Sequence, residues 1–432
     1  MKNYVYCGQS KRYFDLPPRW NLITQGEPTE HEGLRDVKQA IVRALDDPIG
    51  APPLEHMARA GKTVILFDDM TRPTPAHLVF PELLRRLNAA GVRDEDITAI
   101  CALGSHPKPS EDQLVAKIGE EAYGRLSPRV IIHDSNSDEN IIVGRTSRGS
   151  LVEVNPIVYN SEFGVGIGGC IPHFASGVGG GSKLVMPGVF SFQAILEHHV
   201  KWVANPRSLL GIVQGNLFHE EQDEMARMTP VQYKIDLAMN VNQDVTNIYA
   251  GDICEISRVT SARLLEEYGV PVPRKADVVI AGTYPMDRGI QAIKGIGTAA
   301  LATKAGGHII LVGRNTLPEQ FGPLLPAIHN GRSLAVEVRD TIRGNVNPIA
   351  RRAGISAWYF VLFLKLQLER FKITYVSEDM KREDVEAMHM TYAGSIEEAL
   401  QKIAGERPEA DVTIFPAGSI TVPVMKQETL HE

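Results

Sequence analysis

The sequence predicts an α/β protein of two domains, and two observations carry this prediction. In the first half of the chain, apolar strand patterns are each followed by a polar loop and an amphipathic helix, the order expected of a parallel sheet. The same pattern starts again at Asp277, after a proline-rich connection at 270–276. We therefore expect one α/β domain over residues 1–270, a second over residues 271–432, and a ligand cleft between them.

The elements of the N-terminal domain follow from local patterns. Short strands are predicted in the first thirty or so residues, and a helix at 33–45. The run KTVILF at 62–67 is typical of a strand buried on both faces. The further elements are a helix at 77–91, a strand at 96–103, a helix capped near Ser110, a strand at 129–133, a helix at 188–200 with helical sequence up to Arg227, a strand at 233–241 and a helix at 259–269.

The C-terminal domain repeats the alternation of strands and helices. Strands are predicted at 277–282, 308–313, 373–377 and 411–418, and helices at 288–303 and 396–403. At about 150 residues, this unit has a normal domain size.

Composition narrows the class of protein. A net charge of −7 and a pI near 6.0 argue against a general nucleic-acid surface, so a small molecule is the default ligand. No apolar run approaches the roughly 20 residues that a membrane span requires, and the first residues lack the apolar core of a signal peptide, so a cytoplasmic protein is expected. The four cysteines form no CxxC pair, so neither a zinc knuckle nor a disulfide framework is indicated.

The stretch at 166–199, GIGGCIPHFASGVGGGSKLVMPGVFSFQAILEHH, concentrates the unusual residues. Its glycine run before Lys183 predicts a backbone cradle for a ligand. A nucleotide-triphosphate loop would need a hydroxyl directly after the lysine, but Leu184 stands there and Ser182 precedes it. A phosphate cradle is therefore compatible with the sequence, and an ATPase is not.

Polar side chains follow the first two buried strands. Asp69 and Arg72 lie in a proline-stiffened turn, where the arginine could bind a carboxylate or phosphate, or the pair could simply order the loop. His106 ends the second strand, and His173 lies before the glycine run. Two loop histidines with a lysine and an arginine are the minimum for moving protons on both faces of a small acid. Metal binding by the histidines is the competing interpretation, although no H-E-x-x-H spacing is present.

In the second domain, Gln291 and Lys294 are three residues apart on a predicted helix and can face the same side. A solvated helix face would have the same pattern. Trp358 opens an apolar helix, whose neighbouring residues indicate core packing.

Taken together, these motifs resemble the lactate racemase family, whose members use a nickel-pincer nucleotide. The matching pieces are DDMTRPTPAH (68–77), GSHP (104–107), IPHFASGVGGGSKLVMPG (171–188), the histidine sixteen residues after Lys183, QAIK (291–294) and Trp358. They occur in the family's order over most of the chain.

The resemblance implies a specific site. A nicotinate-derived mononucleotide would hold nickel in a planar sulfur–carbon–sulfur pincer and be joined through a thioamide to Lys183. His199, rather than its neighbour His198, would be the fourth nickel ligand, as suits an imidazole in a square-planar site. His106 and His173 would be the acid–base pair. Arg72, Gln291, Lys294 and Trp358 would bind substrate, and Asp69, Thr71, Thr74, Gly179, Gly180 and Gly181 would surround the cofactor.

The implied reaction inverts C2 of a 2-hydroxy acid by proton-coupled hydride transfer, a difficult step that is better given to a cofactor. Cofactor-biosynthesis enzymes are the implied partners, besides the small-molecule acid.

Two positions depart from the family pattern. Ile290 stands where a tyrosine precedes the glutamine of Q-x-x-K, and Tyr359 where a glutamine is more typical. The acid could thus be lactate or a longer aromatic, dicarboxylic or sugar acid, and a binding protein without activity is a further alternative. A nicotinamide dehydrogenase is disfavoured, because no G-x-G-x-x-G follows a strand with an acidic residue about twenty positions on.

Overall fold

The computed structural model describes residues 2–29, 31–240 and 242–426, which divide into two compact units. The N-terminal unit contains the described residues between 30 and 208 and between 212 and 263. The C-terminal unit contains those up to 29, those at 209–211 and those from 264 onwards. The described residues up to 29 thus belong to the C-terminal unit, whereas the sequence patterns predict them in the N-terminal domain.

In chain order, the strands are β1 (Asn3–Cys7), β2 (Ser10–Phe14), β3 (Trp20–Gln25), β4 (Thr63–Asp68), β5 (Ile97–Ala102), β6 (Val130–Ile132), β7 (Ile141–Arg145), β8 (Leu151–Val154), β9 (Phe163–Cys170), β10 (Pro172–His173), β11 (Gly177–Val178), β12 (Val231–Met239), β13 (Val245–Asp252), β14 (Gly269–Val272), β15 (Ala276–Gly282), β16 (Thr303–Val312), β17 (Lys372–Val376), β18 (Thr391–Ala393), β19 (Ala410–Phe415) and β20 (Val422–Met425).

The α-helices are α1 (Val37–Asp46), α2 (Leu54–Met57), α3 (Phe80–Ala89), α4 (Glu111–Ile118), α5 (Glu120–Leu126), α6 (Pro156–Tyr159), α7 (Phe192–Trp202), α8 (Leu217–Arg227), α9 (Glu255–Tyr268), α10 (Lys294–Ala302), α11 (Leu325–Ile328), α12 (Leu334–Ile342), α13 (Pro348–Ala353), α14 (Ile355–Leu368), α15 (Arg382–Ala387) and α16 (Ile396–Glu406). Short 3₁₀ turns lie at Ala76–Leu78, Asp94–Asp96, Gly181–Leu184, Gly289–Ile293 and Pro318–Leu324.

Within the described part of the N-terminal unit, six strands form a sheet in the order β13–β12–β9–β4–β5–β6. All neighbours are parallel except β12 and β13. On one face, strand residues such as Phe67, Val165 and Ile235 pack against apolar residues of α1 to α5. On β9 the opposite face carries Gly164, Gly166 and Gly168, because side chains alternate between the two faces of a strand. One face is therefore a filled core, and the other is open to further elements.

The C-terminal unit is built on a second sheet, in the order β18–β17–β16–β15–β19–β3 over the residues described, with all neighbours parallel. Its edge strand β3 pairs with β19, from Trp20 opposite Ala410 to Gln25 opposite Ile414. This pairing is the physical reason why the first residues join the C-terminal unit. Helix α14 is buried along most of its length, including Trp358 at 0% exposure.

The predicted strands of both domains are confirmed, with small shifts in their ends. The predicted strand at 233–241 is observed as β12, and Val241 lies outside the described residues. Ser110 caps α4 as expected, in a capping box with Gln113. The helix predicted at 188–200 begins at Phe192, where the Ser191 hydroxyl accepts from the Ala194 N–H. No helix of the described chain is long and apolar enough to span a membrane.

Candidate active site

A cavity of about 50 Å³ lies at the carboxyl ends of β4, β5 and β9. In sheet order, β5 and β6 follow β4 on one side, while β9 and β12 lie on the other. Loops leave such a reversal point in opposite directions, which opens a crevice for ligands. The cavity is lined by Asp68, Asp69, Arg72, Ala102, Leu103, His106, Gly168, Gly169, Gly179, Lys183, Leu184, Pro187, Gly188 and Lys234. The structure thus brings together five residues named from the sequence: Asp69, Arg72, His106, Gly179 and Lys183.

The Asp69 carboxylate holds the His106 ring. Oδ2 of Asp69 lies 2.9 Å from Nδ1 of His106, and Oδ1 accepts the Thr71 N–H at 2.6 Å. Burial alone would raise the pKa of Asp69, but the hydrogen bonds from His106 and Thr71 and the charges of His106 and Arg72 outweigh it and hold that pKa well below its usual range. Because a carboxylate only accepts, Nδ1 of His106 carries a proton, and Nε2 is the unprotonated nitrogen of the neutral ring.

Arg72 lies in the turn after β4, and Lys117 of α4 contacts that turn, but the two cations have different environments. The Lys117 ammonium lies 2.6 Å from Oδ1 of Asp68 and donates to the carbonyls of Asp69 (3.3 Å) and Arg72 (3.0 Å). Lys117 therefore fixes the turn from inside. Within the described chain, the Arg72 guanidinium has no hydrogen-bond or ion-pair partner, so it can receive an anion from the cavity.

Thr74 is held within this turn, because its hydroxyl donates to Oδ2 of Asp68 at 2.6 Å.

His173 is held in the opposite tautomer from His106. Its Nδ1 accepts the N–H groups of Ala175 (3.3 Å) and Ser176 (3.0 Å), so the proton of the neutral ring lies on Nε2. The ring stacks on Phe174, with centroids 4.8 Å apart. His173 is not among the residues that line the cavity.

Lys183 projects from the 3₁₀ turn Gly181–Leu184, and the glycines before it have packing reasons of their own. A Cβ on Gly180 would lie 2.4 Å from Oδ2 of Asp236, and one on Gly181 would lie 1.7 Å from the Ser257 hydroxyl. Gly181 also has a φ of +61°. The protein itself therefore requires glycine at both positions, while Gly179 lines the cavity.

The paired histidines of α7 form a hydrogen-bonded chain that orients both rings. Nε2 of His198 lies 2.9 Å from the Phe218 carbonyl, so it must donate, and Nδ1 of His198 is then an acceptor in the neutral ring. Nδ1 of His199 lies 3.4 Å from that acceptor. Burial and the charges of His198 and Lys183 lower the pKa of His199 well below its usual value, which keeps the ring neutral. His199 thus resembles a metal-binding histidine, with its ring oriented by His198 and by a hydrogen bond to the Ile195 backbone.

Helix α8 forms hydrogen bonds to the loops that carry His173 and Lys183. The sequence patterns did not predict this role. Its Gln222 accepts from the Ser176 hydroxyl at 2.7 Å and donates to the Met186 carbonyl at 2.8 Å. Asp223 accepts from the Ser182 hydroxyl at 2.6 Å. The sequence signal was a polar helix following the glycine-rich stretch, and surface helices have the same composition.

The remaining predicted site residues lie in the C-terminal unit. Gln291 is in the 3₁₀ turn Gly289–Ile293, Lys294 begins α10, and both are partly exposed. Trp358 is fully buried, and its indole N–H has no hydrogen-bond partner among the described residues.

A larger cavity of about 470 Å³ in the C-terminal unit is lined by none of the predicted site residues. It lies near His308, Lys372 and His389. Although this cavity is larger, the smaller cavity is the better candidate for the active site, because predicted acid–base, anion-binding and cofactor-binding side chains line it. Over the described residues, no group of three or more His, Cys, Asp or Glu side chains could hold a metal ion.

Comparison with known proteins agrees with this organisation. Residues 7–211 match the lactate racemase N-terminal domain, and residues 272–424 match the lactate racemase C-terminal domain. The chain is 28% identical over 407 residues to a lactate racemase of Lactiplantibacillus plantarum, covering 92% of this chain and 93% of that protein. A lactate racemase of Thermoanaerobacterium thermosaccharolyticum is 26% identical over 423 residues, covering 95% and 96%.

Solved structures share the fold. The lactate racemase apoprotein from Thermoanaerobacterium thermosaccharolyticum superposes with a TM-score of 0.82 at 24% identity, covering 98% of this chain and 100% of that one. A Thermotoga maritima protein superposes with a TM-score of 0.59 at 16% identity, covering 90% and 97%. The predicted α/β fold class is confirmed.

Because both halves match racemase domains, the chain is an isomerase built of two α/β units. It belongs to the lactate racemase family, which confirms the resemblance found in its motifs.

Proposed function

We propose that this chain is a racemase or epimerase that inverts C2 of a 2-hydroxy acid, lactate or a close relative, using a nickel-pincer nucleotide joined to Lys183. The observation that carries this proposal is the cavity in which the Asp69–His106 pair, the Arg72 guanidinium and Lys183 meet. An anion-binding group, a held base and a lysine at one site are what inversion of a hydroxy acid on a tethered cofactor requires.

Different residues bind the substrate and transfer its protons. Arg72 binds the carboxylate, since its fork of donors fits a planar anion. Nε2 of His106 accepts the hydroxyl proton, and Asp69 stabilises the imidazolium that results. His173 serves the other face of the substrate, with Nε2 as the proton-bearing nitrogen of its neutral ring.

The residues present fit the proposed cofactor. Lys183 reaches the cavity, and His199 offers an oriented nitrogen of the type nickel accepts. When bound, the nucleotide supplies an acceptor and donor for the Cα hydrogen as hydride. The cavity of about 50 Å³ is small beside the roughly 300 Å³ of common ligand sites, so it corresponds to the reacting end of the ligand rather than to a whole nucleotide.

Substrate choice is assigned to the C-terminal unit. Gln291, Lys294 and Trp358 are proposed to complete the substrate site. Ile290 offers no hydroxyl for a substrate contact, which favours an acid whose side chain or orientation differs from that of lactate. A longer aromatic, dicarboxylic or sugar acid is therefore the second candidate.

In the cell, we expect the chain to act in the cytoplasm and to depend on the enzymes that build its cofactor.

The experiment is to produce the protein with nickel and the cofactor-building enzymes and to incubate it with single enantiomers of several 2-hydroxy acids. Chiral chromatography follows conversion, and intact-mass spectrometry follows the adduct on Lys183. We expect conversion of at least one acid and an adduct that Lys183→Ala lacks. Retention of configuration in every acid, with the adduct present, would contradict the racemase proposal.

A further inference from the structure

Lys234 on β12 is a buried cation with no part in the proton transfers or the tether assigned to the site. It is 0% exposed, although lysine is among the residues least often buried. Its side chain lines the same cavity as Lys183 and Arg72. A buried lysine at this position requires contacts that compensate for the loss of its hydration.

The glycines of β9 provide the space for this lysine. In the parallel register of β12 and β9, Lys234 lies opposite Gly166 and Asp236 opposite Gly168. A Cβ on Gly166 would lie 2.7 Å from Cδ of Lys234, and one on Gly168 would lie 2.8 Å from its Nζ. The glycine face of β9 therefore admits the lysine stem and lets its ammonium group reach the cavity.

The ammonium group of Lys234 is incompletely satisfied by the protein. It forms an ion pair with Oδ1 of Asp236 and donates to the Ile235 carbonyl at 3.4 Å. Among the described residues, its third N–H has no acceptor. The second buried lysine nearby, Lys117, donates to two backbone carbonyls and forms an ion pair with Asp68, but it does not line the cavity.

Asp236 links Lys234 to the turn that carries Lys183. Its Oδ2 accepts the Gly181 N–H at 2.6 Å, so one carboxylate holds both the lysine and the loop. Both oxygens of Asp236 are thus engaged, and the spare donor of Lys234 faces a cavity rather than the protein.

We propose that Lys234 binds an anionic group of the tethered mononucleotide, either its phosphate or the carboxyl-derived group on its ring. The proposal rests on the proposed function, because it takes the cofactor class from there. In that function, Lys183 is bonded covalently to the cofactor and Arg72 binds the substrate carboxylate. Of the Lys and Arg side chains that line the cavity, Lys234 is therefore the one that can bind an anionic group of the cofactor. A buried ammonium with an unused donor gains from an anion at that position, because charge-assisted hydrogen bonds are strong in a dry site.

Calorimetry on the full chain, prepared without cofactor, tests the proposal with three probes. Nicotinate mononucleotide carries both anionic groups, nicotinate riboside lacks the phosphate, and nicotinamide mononucleotide lacks the carboxylate. We expect the wild-type chain to bind nicotinate mononucleotide more tightly than one of the other two. Lys234→Met should weaken mononucleotide binding by roughly 10–100-fold and erase that difference. If the affinity difference that disappears is the one to nicotinate riboside, Lys234 binds the phosphate. If it is the one to nicotinamide mononucleotide, Lys234 binds the carboxylate.

Two further variants keep the result interpretable. K234M/D236N removes both charges while an amide oxygen at position 236 can still accept from Gly181, so it should show the same loss if the single variant fails to fold. Lys304→Met makes the same change at a lysine of the C-terminal unit that pairs with Asp277 and does not line the cavity, and it should preserve the difference between probes. Wild-type binding of mononucleotide with unchanged affinity in both Lys234 variants would overturn this inference alone. Absence of wild-type binding to all three probes would overturn the proposed cofactor site with it.

Discussion

Asp69 and His106 show how the role of one side chain depends on a contact between loops. From the resemblance, Asp69 is expected among the residues around the cofactor. In the structure it lines the cavity together with Lys183, and its carboxylate faces the His106 ring, 37 positions further along the chain. The held tautomer makes Nε2 of His106 the unprotonated nitrogen, which the proposed function uses as the base. In the proposed function, Asp69 therefore acts on the chemistry by orienting His106 as the base.

Replacing Asp69 with asparagine should lower kcat by about 100-fold, because the amide neither fixes the His106 tautomer as firmly nor stabilises the imidazolium. Chiral chromatography measures the rate, and intact mass should show that the Lys183 adduct still forms. Asp96→Asn, which makes the same change at a carboxylate that pairs with Arg93 and does not line the cavity, is the matched control and should change kcat by less than about threefold. Equal rates in the two variants would refute the orienting role.

The adjacent histidines of α7 should be unequal in metal binding. We expect His199→Ala to lose nickel, because that ring offers the ligating nitrogen. His198→Gln should weaken nickel binding by about 10–100-fold, the usual effect of removing an orienting partner. Elemental analysis after gel filtration, on protein whose adduct is verified by mass, gives the nickel content. Full nickel in His199→Ala would assign the ligand elsewhere.

At the residue scale, the side chains that short local motifs single out lie together in the structure. Arg72, His106 and Lys183 were named from short motifs, and they line one cavity. The roles of Lys117 and Lys234 were not predicted, because each role depends on contacts with residues that are distant in the sequence. In the sequence, each is one charged residue in an ordinary helix or strand pattern.

At the scale of elements, the turn Gly181–Leu184 is fixed by its surroundings. Gly181→Ala should destabilise the protein by at least about 2 kcal/mol, since the left-handed backbone disfavours a Cβ and the Ser257 hydroxyl occupies its place. Thermal unfolding followed by circular dichroism measures the change. Gly124→Ala in α5 is the control: its Cβ meets nothing within 4 Å, and it should be neutral or stabilising by up to about 1 kcal/mol. Equal melting temperatures in the two variants would contradict this role of the turn's surroundings.

The helix predicted at 288–303 shows why element boundaries escape a local pattern. The chain forms a 3₁₀ turn at Gly289–Ile293 before α10 begins at Lys294. The Gly289 N–H donates to the Asn315 side chain at 2.6 Å, a partner 26 residues away. Gln291 and Lys294 therefore lie in different elements, although their spacing suggested one helix face.

At the scale of the whole molecule, the C-terminal unit should be sensitive to acid. His308 is buried on β16, with Nε2 2.8 Å from the Thr374 hydroxyl. Burial lowers its pKa to about 4; Glu406 acts in the opposite direction, while Lys372, Arg407 and Lys402 add to the lowering. The folded state therefore binds this proton less readily than the unfolded chain. The stability contribution is intact above about pH 6.5 and declines as the pH falls toward 4.

Between pH 7 and pH 5, the C-terminal unit should lose about 2 kcal/mol through His308. Urea unfolding can follow this in a Trp202→Phe background, because the other tryptophans, Trp20 and Trp358, both belong to the C-terminal unit. His308→Gln in that background removes the titrating group and should reduce the pH dependence by a similar amount. Identical pH dependence with and without His308 would assign the acid sensitivity to other groups.

The pairing of β3 with β19 has a consequence for biosynthesis. During synthesis on a ribosome, residues 20–25 emerge almost 400 positions before their partners at 410–415, so this edge of the sheet stays unformed until translation is nearly finished. The N-terminal unit, whose sheet uses strands between 63 and 252, can assemble in the meantime. A shortened gene for the C-terminal unit must therefore encode the first 29 residues as well as those from 264 onwards. If a short linker joins the two segments, β3 and its partner β19 belong to one continuous translation product.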